Sequence, residues 1–220
     1  MAVEMAVHAY EQGAAAVSSV PPFYYPFPFE AIYEYYQAIS DATPLPIIVY
    51  SIAATTGVDI GVASIQKLAQ IQNVKGIKFT SVNHYEMQRI REKLGEDFII
   101  LSGSDEMCLS GLLMGADGLA GSFFNMMPEI FINIYNAVQE GKIEEAREAL
   151  IIANDIIEIF LRHQYYPSMR EALKWMGVDC GRNRRPFRRL SKEETNLLRQ
   201  ELLELKNKKN ITDIQCIDTL

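Results

Sequence analysis

The sequence predicts an α/β fold, namely a (β/α)8 TIM barrel present in part, with about five of its eight βα units, followed by a C-terminal helical extension. Three observations predict it. Short β-branched runs alternate with helical patterns from Ala14 to about Gln139, as parallel strands joined by crossover helices require. The strands "LPIIVY" and "DFIILS" are apolar almost without alternation, which predicts a sheet covered on both faces. Unusual polar side chains recur at the C-terminal ends of successive strands, where a barrel gathers its chemistry, and no G-x-G-x-x-G joins a strand to a helix as a dinucleotide-binding open sheet would have.

The elements follow in order. "MAVEMAVHAYEQG" reads as an amphipathic helix already under way at Met1 and stopped by Gly13. "AAAVSSV" is a small-residue strand, "PPFYYPFPF" an aromatic loop, and residues 30 to 42 a helix. A strand over 45 to 50 leads through a Thr-Thr-Gly turn to a helix around Ile65 to Gln72. Three further units pair strand 74 to 79 with helix 83 to 94, strand 97 to 102 with helix 105 to 114, and strand 117 to 122 with helix 128 to 140. Gly95 and Gly115 stop the first two of these helices. Beyond Gly141 the pattern is helical only, over 143 to 163, 168 to 178 and 191 to 206. The last opens with Ser191 and Glu194 in capping-box spacing. Phe160, Tyr165, Tyr166 and Trp175 read as core or subunit contacts, "GRNRRPFRRL" as a solvated connection pairing with acidic helices, and "NKKNITDIQCIDTL" as a loosely ordered tail. The expected organisation is a partial barrel over 1–141, a helical region over 142–207 and a tail over 208–220.

Composition narrows the function. The 220 residues are 49% hydrophobic and 22% charged with a net charge of -7, so no broad positive field attracts nucleic acid or an anionic membrane. No run approaches the roughly 20 apolar residues of a membrane span, and the start lacks the basic region and apolar core of a signal peptide. Cys108, Cys180 and Cys216 are odd in number and widely spaced, and His8, His84 and His163 form no ligand pair at helical spacing. The expectation is a reduced, cytoplasmic protein without a metal, acting on a small molecule.

One residue carries a chemical question. Lys78 interrupts the apolar strand "VKGIKFT", where an unpaired ammonium is costly and a lowered pKa leaves a nucleophilic amine. A lysine near a strand end also snorkels to solvent or pairs with a carboxylate readily. The neighbours of Lys78 in the pattern are Tyr24 after the first strand, Tyr50 at the end of the second, Thr80 after the third, Gly103, Asp105 and Glu106 at the fourth and Ser122 at the fifth. Polar groups at five successive strand ends describe one shared site. A lysine there can form a Schiff base with a keto acid, the cationic nitrogen accepting electrons as the adjacent carbon–carbon bond breaks, with a tyrosine moving the proton.

The stretches "PFYYPFPFE", "IVYSIAATTGV", "GIKFTS", "GSDEMCLSGLLMGADGLAGSFFN" and "RRPF", in this order and spacing, resemble the pyruvate-dependent aldolase family of N-acetylneuraminate lyase and dihydrodipicolinate synthase, over about Val3 to Lys206. "FYYPFPF" and the Asp105–Glu106 pair resemble the sialic-acid branch. The resemblance implies Lys78 as Schiff-base lysine, Tyr50 as proton donor and acceptor, and Tyr24 as a proton-relay tyrosine working from a neighbouring subunit. It implies Thr80 on the substrate C4 hydroxyl, with the Gly103 backbone, Asp105, Glu106 and Ser122 on the polyhydroxylated tail. The implied reaction is reversible cleavage of N-acetylneuraminate to N-acetylmannosamine and pyruvate, in a cytoplasmic homotetramer, with no cofactor beyond the covalent bond at Lys78. Ala53 and Ser104 depart from the proline and aromatic residue usual in the family. The family also has three strands ahead of this chain's first, with a Gly-Ser/Thr-Thr-Gly-Glu loop for the pyruvate carboxylate, and this sequence contains no such motif. The chain as written is therefore expected to be poorly stable and nearly inactive alone. Two alternatives stand beside the lyase: another pyruvate-dependent aldolase, of the dihydrodipicolinate synthase or 2-keto-3-deoxy acid kind, and an inactive fragment with a binding or assembly role.

Overall fold

Five parallel strands hydrogen-bond in the order in which they occur in the chain, β1-β2-β3-β4-β5. The computed structural model describes residues 1–220 and divides into two units, Met1–Ala120 and Gly121–Leu220. The first contains α1 (Ala2–Glu11), β1 (Val17–Ser19), α2 (Phe29–Ala42), β2 (Ile47–Ser51), the single turn α3 (Ala53–Thr56), α4 (Val62–Leu68), β3 (Val74–Phe79), α5 (His84–Leu94), β4 (Ile99–Ser102), a 3-10 turn (Asp105–Met107), α6 (Cys108–Leu113) and β5 (Gly118–Leu119). A doubly wound sheet reverses its strand order at a switch point, and this sheet does not, so it is an arc of a barrel.

The two faces of the sheet differ. Ile47, Val49, Ile77, Phe79 and Ile100 alternate with the site-facing residues and are almost wholly buried in a cluster with Ile32, Tyr36 and Ile39 of α2, Ile65 and Leu68 of α4 and Met87 and Ile90 of α5. Each such side chain contributes about 1.5–3 kcal/mol by leaving water. The opposite face is half open: Ile48, Gly76 and Ile99 form one row across β2, β3 and β4, and Tyr50, Lys78 and Leu101 the next. Ile99 is 41% exposed, so the expected cover on both faces is realised on one only. Gly76 lets the strands close up, since a Cβ there would stand 2.5 Å from the Ile99 carbonyl oxygen.

Packing also moves several boundaries. α4 starts at Val62, ahead of the expected Ile65, with Gly61 as its N-cap. The helix expected over 105 to 114 begins as a 3-10 turn through Asp105 and Glu106. The fifth strand is only Gly118–Leu119, where 117 to 122 was expected, because its register with β4 covers just Leu101 and Ser102.

The second unit holds a 3-10 turn (Phe123–Asn125), α7 (Pro128–Gln139), α8 (Ile143–Arg162), α9 (Tyr165–Trp175), α10 (Lys192–Lys209) and α11 (Gln215–Asp218). Phe123 meets Phe160 and Tyr165 at centroid distances of 5.8 and 5.3 Å. α9 starts three residues before the expected Ser168, because Pro167 in the first turn needs no amide donor. The capping box forms as expected, with Ser191 Oγ accepting from the Glu194 amide at 3.2 Å and Glu194 Oε2 from the Ser191 amide at 2.7 Å. The tail is ordered, contrary to expectation: Ile211, Ile214, Cys216 and Ile217 are buried, and Lys206 Nζ donates to the Ile217 carbonyl at 3.1 Å. No helix is long and apolar enough to cross a membrane.

Candidate active site

Parallel pairing places Tyr50 of β2 directly opposite Lys78 of β3. Both lie on the half-open face, and Lys78 Nζ stands over the Tyr50 ring, 4.1 Å from its centroid. The π-face of the ring attracts the cation by about 0.5–2 kcal/mol and fixes the direction of the lysine arm. Lys75, at an odd offset on the same strand, points to the other side of the pleat and is exposed.

Thr80 follows β3, its amide donating to the Ser51 carbonyl at 2.9 Å. Its hydroxyl is buried and has no hydrogen-bond partner within the protein. Gly103 follows β4, its amide donating to the Phe79 carbonyl at 3.0 Å. A Cβ on Gly103 would fall 1.9 Å from Thr80 Oγ1 and 3.1 Å from Lys78 Cε. Only a glycine lets this backbone pass so close to both side chains. Lys78, Tyr50, Thr80 and Gly103 thus form one constellation on three adjacent strand ends.

Asp105 and Glu106 lie two and three residues further on, in the 3-10 turn. Asp105 is buried and Glu106 exposed, so the pair divides into an inner and an outer carboxylate. Tyr24 lies in the aromatic loop after β1, 83% exposed, with its ring edge-on to Tyr25 at 4.8 Å. Ser122 was expected at the end of the fifth strand. Instead it precedes the 3-10 turn of the second unit, where its carbonyl accepts from the Asn125 amide at 3.2 Å. The short β5 ends three residues earlier, which accounts for the difference.

Two supporting residues escape the sequence reading. Ser104, legible there only as a departure from a family pattern, is buried and donates to the Ser81 carbonyl at 3.3 Å, tying the loop after β4 to the loop after β3. His84 shares a 2.8 Å hydrogen bond between Nδ1 and Ser110 Oγ, joining α5 to α6. Burial holds its pKa below the usual histidine range, against the Ser81 carbonyl and the Glu106 carboxylate, which favour the charged form. Neither role has a periodic or motif signal. Cys108 stands close by, its thiol pushed up to about 12 by burial and so protonated and unreactive.

Known proteins share this arrangement of elements. The model of the Dihydrodipicolinate synthetase family matches residues 1–205. A curated N-acetylneuraminate lyase of Rhizobium meliloti (strain 1021) is 35% identical over 199 residues, 90% of this chain and 66% of that protein. The chain therefore spans slightly less than two thirds of that relative. Among solved structures, CdNal from Clostridium difficile in complex with mannosamine superposes with a TM-score of 0.87 at 33% identity, covering 90% of this chain and 68% of that one. A catalytic lysine mutant of the Ruminococcus gnavus sialic acid aldolase superposes with a TM-score of 0.89 at 28% identity, covering 94% and 70%. The five-stranded parallel arc with its helices is the barrel architecture of these neighbours. With a family model matched along nearly its whole length, the chain belongs to the dihydrodipicolinate synthetase family.

Proposed function

We propose that the protein is a Schiff-base aldolase that reversibly cleaves N-acetylneuraminate to N-acetylmannosamine and pyruvate. The observation that carries this reading is the Lys78 amine held 4.1 Å from the Tyr50 ring centre at adjacent strand ends, beside an unpartnered Thr80 hydroxyl. Two relatives act as further support: one named for N-acetylneuraminate lyase activity, the other a sialic acid aldolase with a catalytic lysine.

In this reading the Lys78 amine adds to the C2 keto group of the open-chain sugar acid, and water leaves to give an iminium ion. Thr80 orients the C4 hydroxyl and Tyr50 takes its proton. The C3–C4 bond then breaks, its electron pair passing into the iminium to give an enamine while C4 becomes the aldehyde of N-acetylmannosamine. Protonation at C3 and addition of water release pyruvate and restore the amine. Asp105, Glu106 and the Gly103 backbone accept from and orient the hydroxyl-rich tail. Tyr24 on its exposed loop serves a neighbouring subunit of a homotetramer.

Borohydride reduction in the presence of pyruvate, followed by peptide mapping, tests the reading. One pyruvate-derived mass at Lys78 is expected, and condensation of pyruvate with N-acetylmannosamine in a coupled assay. Label on Lys75 with Lys78 untouched would overturn the assignment. The family also bears the synthetase name, which favours a second reading as an aldolase for another aldehyde. Exclusive use of aspartate semialdehyde would select it.

A further inference from the structure

The segment Arg182–Arg189 sits between two fixed points of the second unit. Upstream, Arg170 donates to the Cys180 carbonyl and to Asn183 Oδ1, both at 2.5 Å, and the Gly181 amide donates to Asp179 Oδ1 at 2.8 Å. Downstream, Arg188 grips both oxygens of Glu194 at 2.8 and 2.5 Å, and that carboxylate also caps α10 through the Ser191 amide. Between them the Phe187 amide closes a turn onto the Arg184 carbonyl at 3.2 Å. The segment is a scaffolded loop, and it borders an open surface depression of about 480 Å³ lined by its own arginines, Asn183 and Phe187.

The charge on this loop is anomalous. A chain of net charge -7 carries five arginines within eight residues here. The expectation that they pair with acidic helices holds for Arg188 alone. Arg182, Arg184, Arg185 and Arg189 are in no ion pair with a carboxylate, although all four line the same depression. Asp179 and Glu171 line an adjoining depression without pairing with these four.

Guanidinium groups are forks for the oxygens of phosphate, and several lining one open depression match a ligand with several phosphates. The depression suits a compact anion. The negative charge of the rest of the chain repels a nucleic acid strand or an anionic bilayer laid across it. Phe187, half exposed and packed edge-on against Tyr166 at 5.2 Å, adds a flat apolar wall on which a base can stack.

We propose that the Arg182–Arg189 loop is a binding site for a compact di- or triphosphate anion, free or as its nucleoside ester. The site shares no residue with the lysine constellation and does not depend on the aldolase reading. Calorimetric titration of the 220-residue chain with tripolyphosphate and with ATP, beside sulfate at matched ionic strength, tests it. Saturable binding of one tripolyphosphate per chain is expected, weakened about tenfold for each guanidinium lost in Arg184→Ala and Arg185→Ala. Tighter binding of ATP, lost in Phe187→Ala, would identify the nucleoside form; equal binding would identify the phosphates alone. In the unaltered protein, tripolyphosphate should shield Arg184 and Arg185 from phenylglyoxal and leave Arg147 on α8 reactive. Sulfate matching tripolyphosphate, undiminished binding in the double variant, or no shielding would each overturn the proposal.

Discussion

Tyr50 and Lys78 face one another across a parallel strand pair, with the amine 4.1 Å above the ring. The ring and the hydroxyl of Tyr50 therefore have separable duties. Tyr50→Phe keeps the surface that orients the lysine and loses the hydroxyl that moves the proton in the proposed reaction. Turnover should fall about 10²- to 10⁴-fold while borohydride still traps pyruvate on Lys78. Equal loss of trapping and turnover would make the tyrosine a positioning group only.

Gly103 tolerates no side chain. In Gly103→Ala the new methyl would meet Thr80 Oγ1 at 1.9 Å and crowd Lys78 Cε at 3.1 Å. Relief requires Thr80 or the β4 loop to shift, so cleavage should drop about 100-fold or more, as ångström-scale misplacement of reacting groups does. The melting temperature should move far less than activity, and wild-type rates in this variant would refute the geometry.

Glu106 is exposed where Asp105 is buried, so Glu106→Gln isolates the proposed tail contact from the fold. Stability should change by no more than about 0.5 kcal/mol, KM for N-acetylneuraminate should rise about tenfold, and pyruvate trapping should be unaffected. Steady-state kinetics with both substrates read the difference. Unchanged KM would remove Glu106 from the site.

Arg91 of α5 holds the frame behind the site. Its guanidinium donates to the carbonyls of Gly115, Gly95 and Phe98 at 3.0, 2.7 and 3.0 Å and to Asp117 Oδ2 at 2.6 Å, and that carboxylate also receives the Ile100 amide at 2.7 Å. Arg91→Ala strands several of these acceptors and should destabilise the chain by about 2–3 kcal/mol in urea titration. Arg91→Lys keeps the charge but not the planar fork, and should recover less than half of that.

His84 makes stability depend on pH. Its folded-state pKa lies below the ordinary 6.5, chiefly because burial opposes the charge. As pH falls the unfolded chain takes up the proton first, so the contribution is fully present above the ordinary value and is lost as pH drops from there through the lowered one. Urea midpoints should therefore fall between about pH 7.5 and about pH 5.5, and His84→Gln should flatten the slope. An unaltered slope would assign the dependence to other groups.

The order of strands and helices is a local property, and the sequence alone determined it. Apolar runs bounded by Gly13, Gly95, Gly115 and Gly141 mark element ends because each of these glycines adopts a positive φ that other residues avoid. β3 was legible to the residue, and the Ser191–Glu194 box with it, since both follow from residues a few positions apart. Lys78 stood out for the same reason, as a charge in an apolar strand. What the neighbours of that lysine do is decided between segments. The register that sets Tyr50 against Lys78, the passage of Gly103 against Thr80 and the Ser104–Ser81 bond depend on contacts more than twenty residues apart. The fifth strand is shorter than its own sequence suggests, because a strand extends only as far as its neighbour offers hydrogen bonds, and this displaces Ser122 from a strand end. The tail reads as polar and loose, yet four of its few apolar residues, too few to specify a helix by period, find a surface to bury against once the chain has folded.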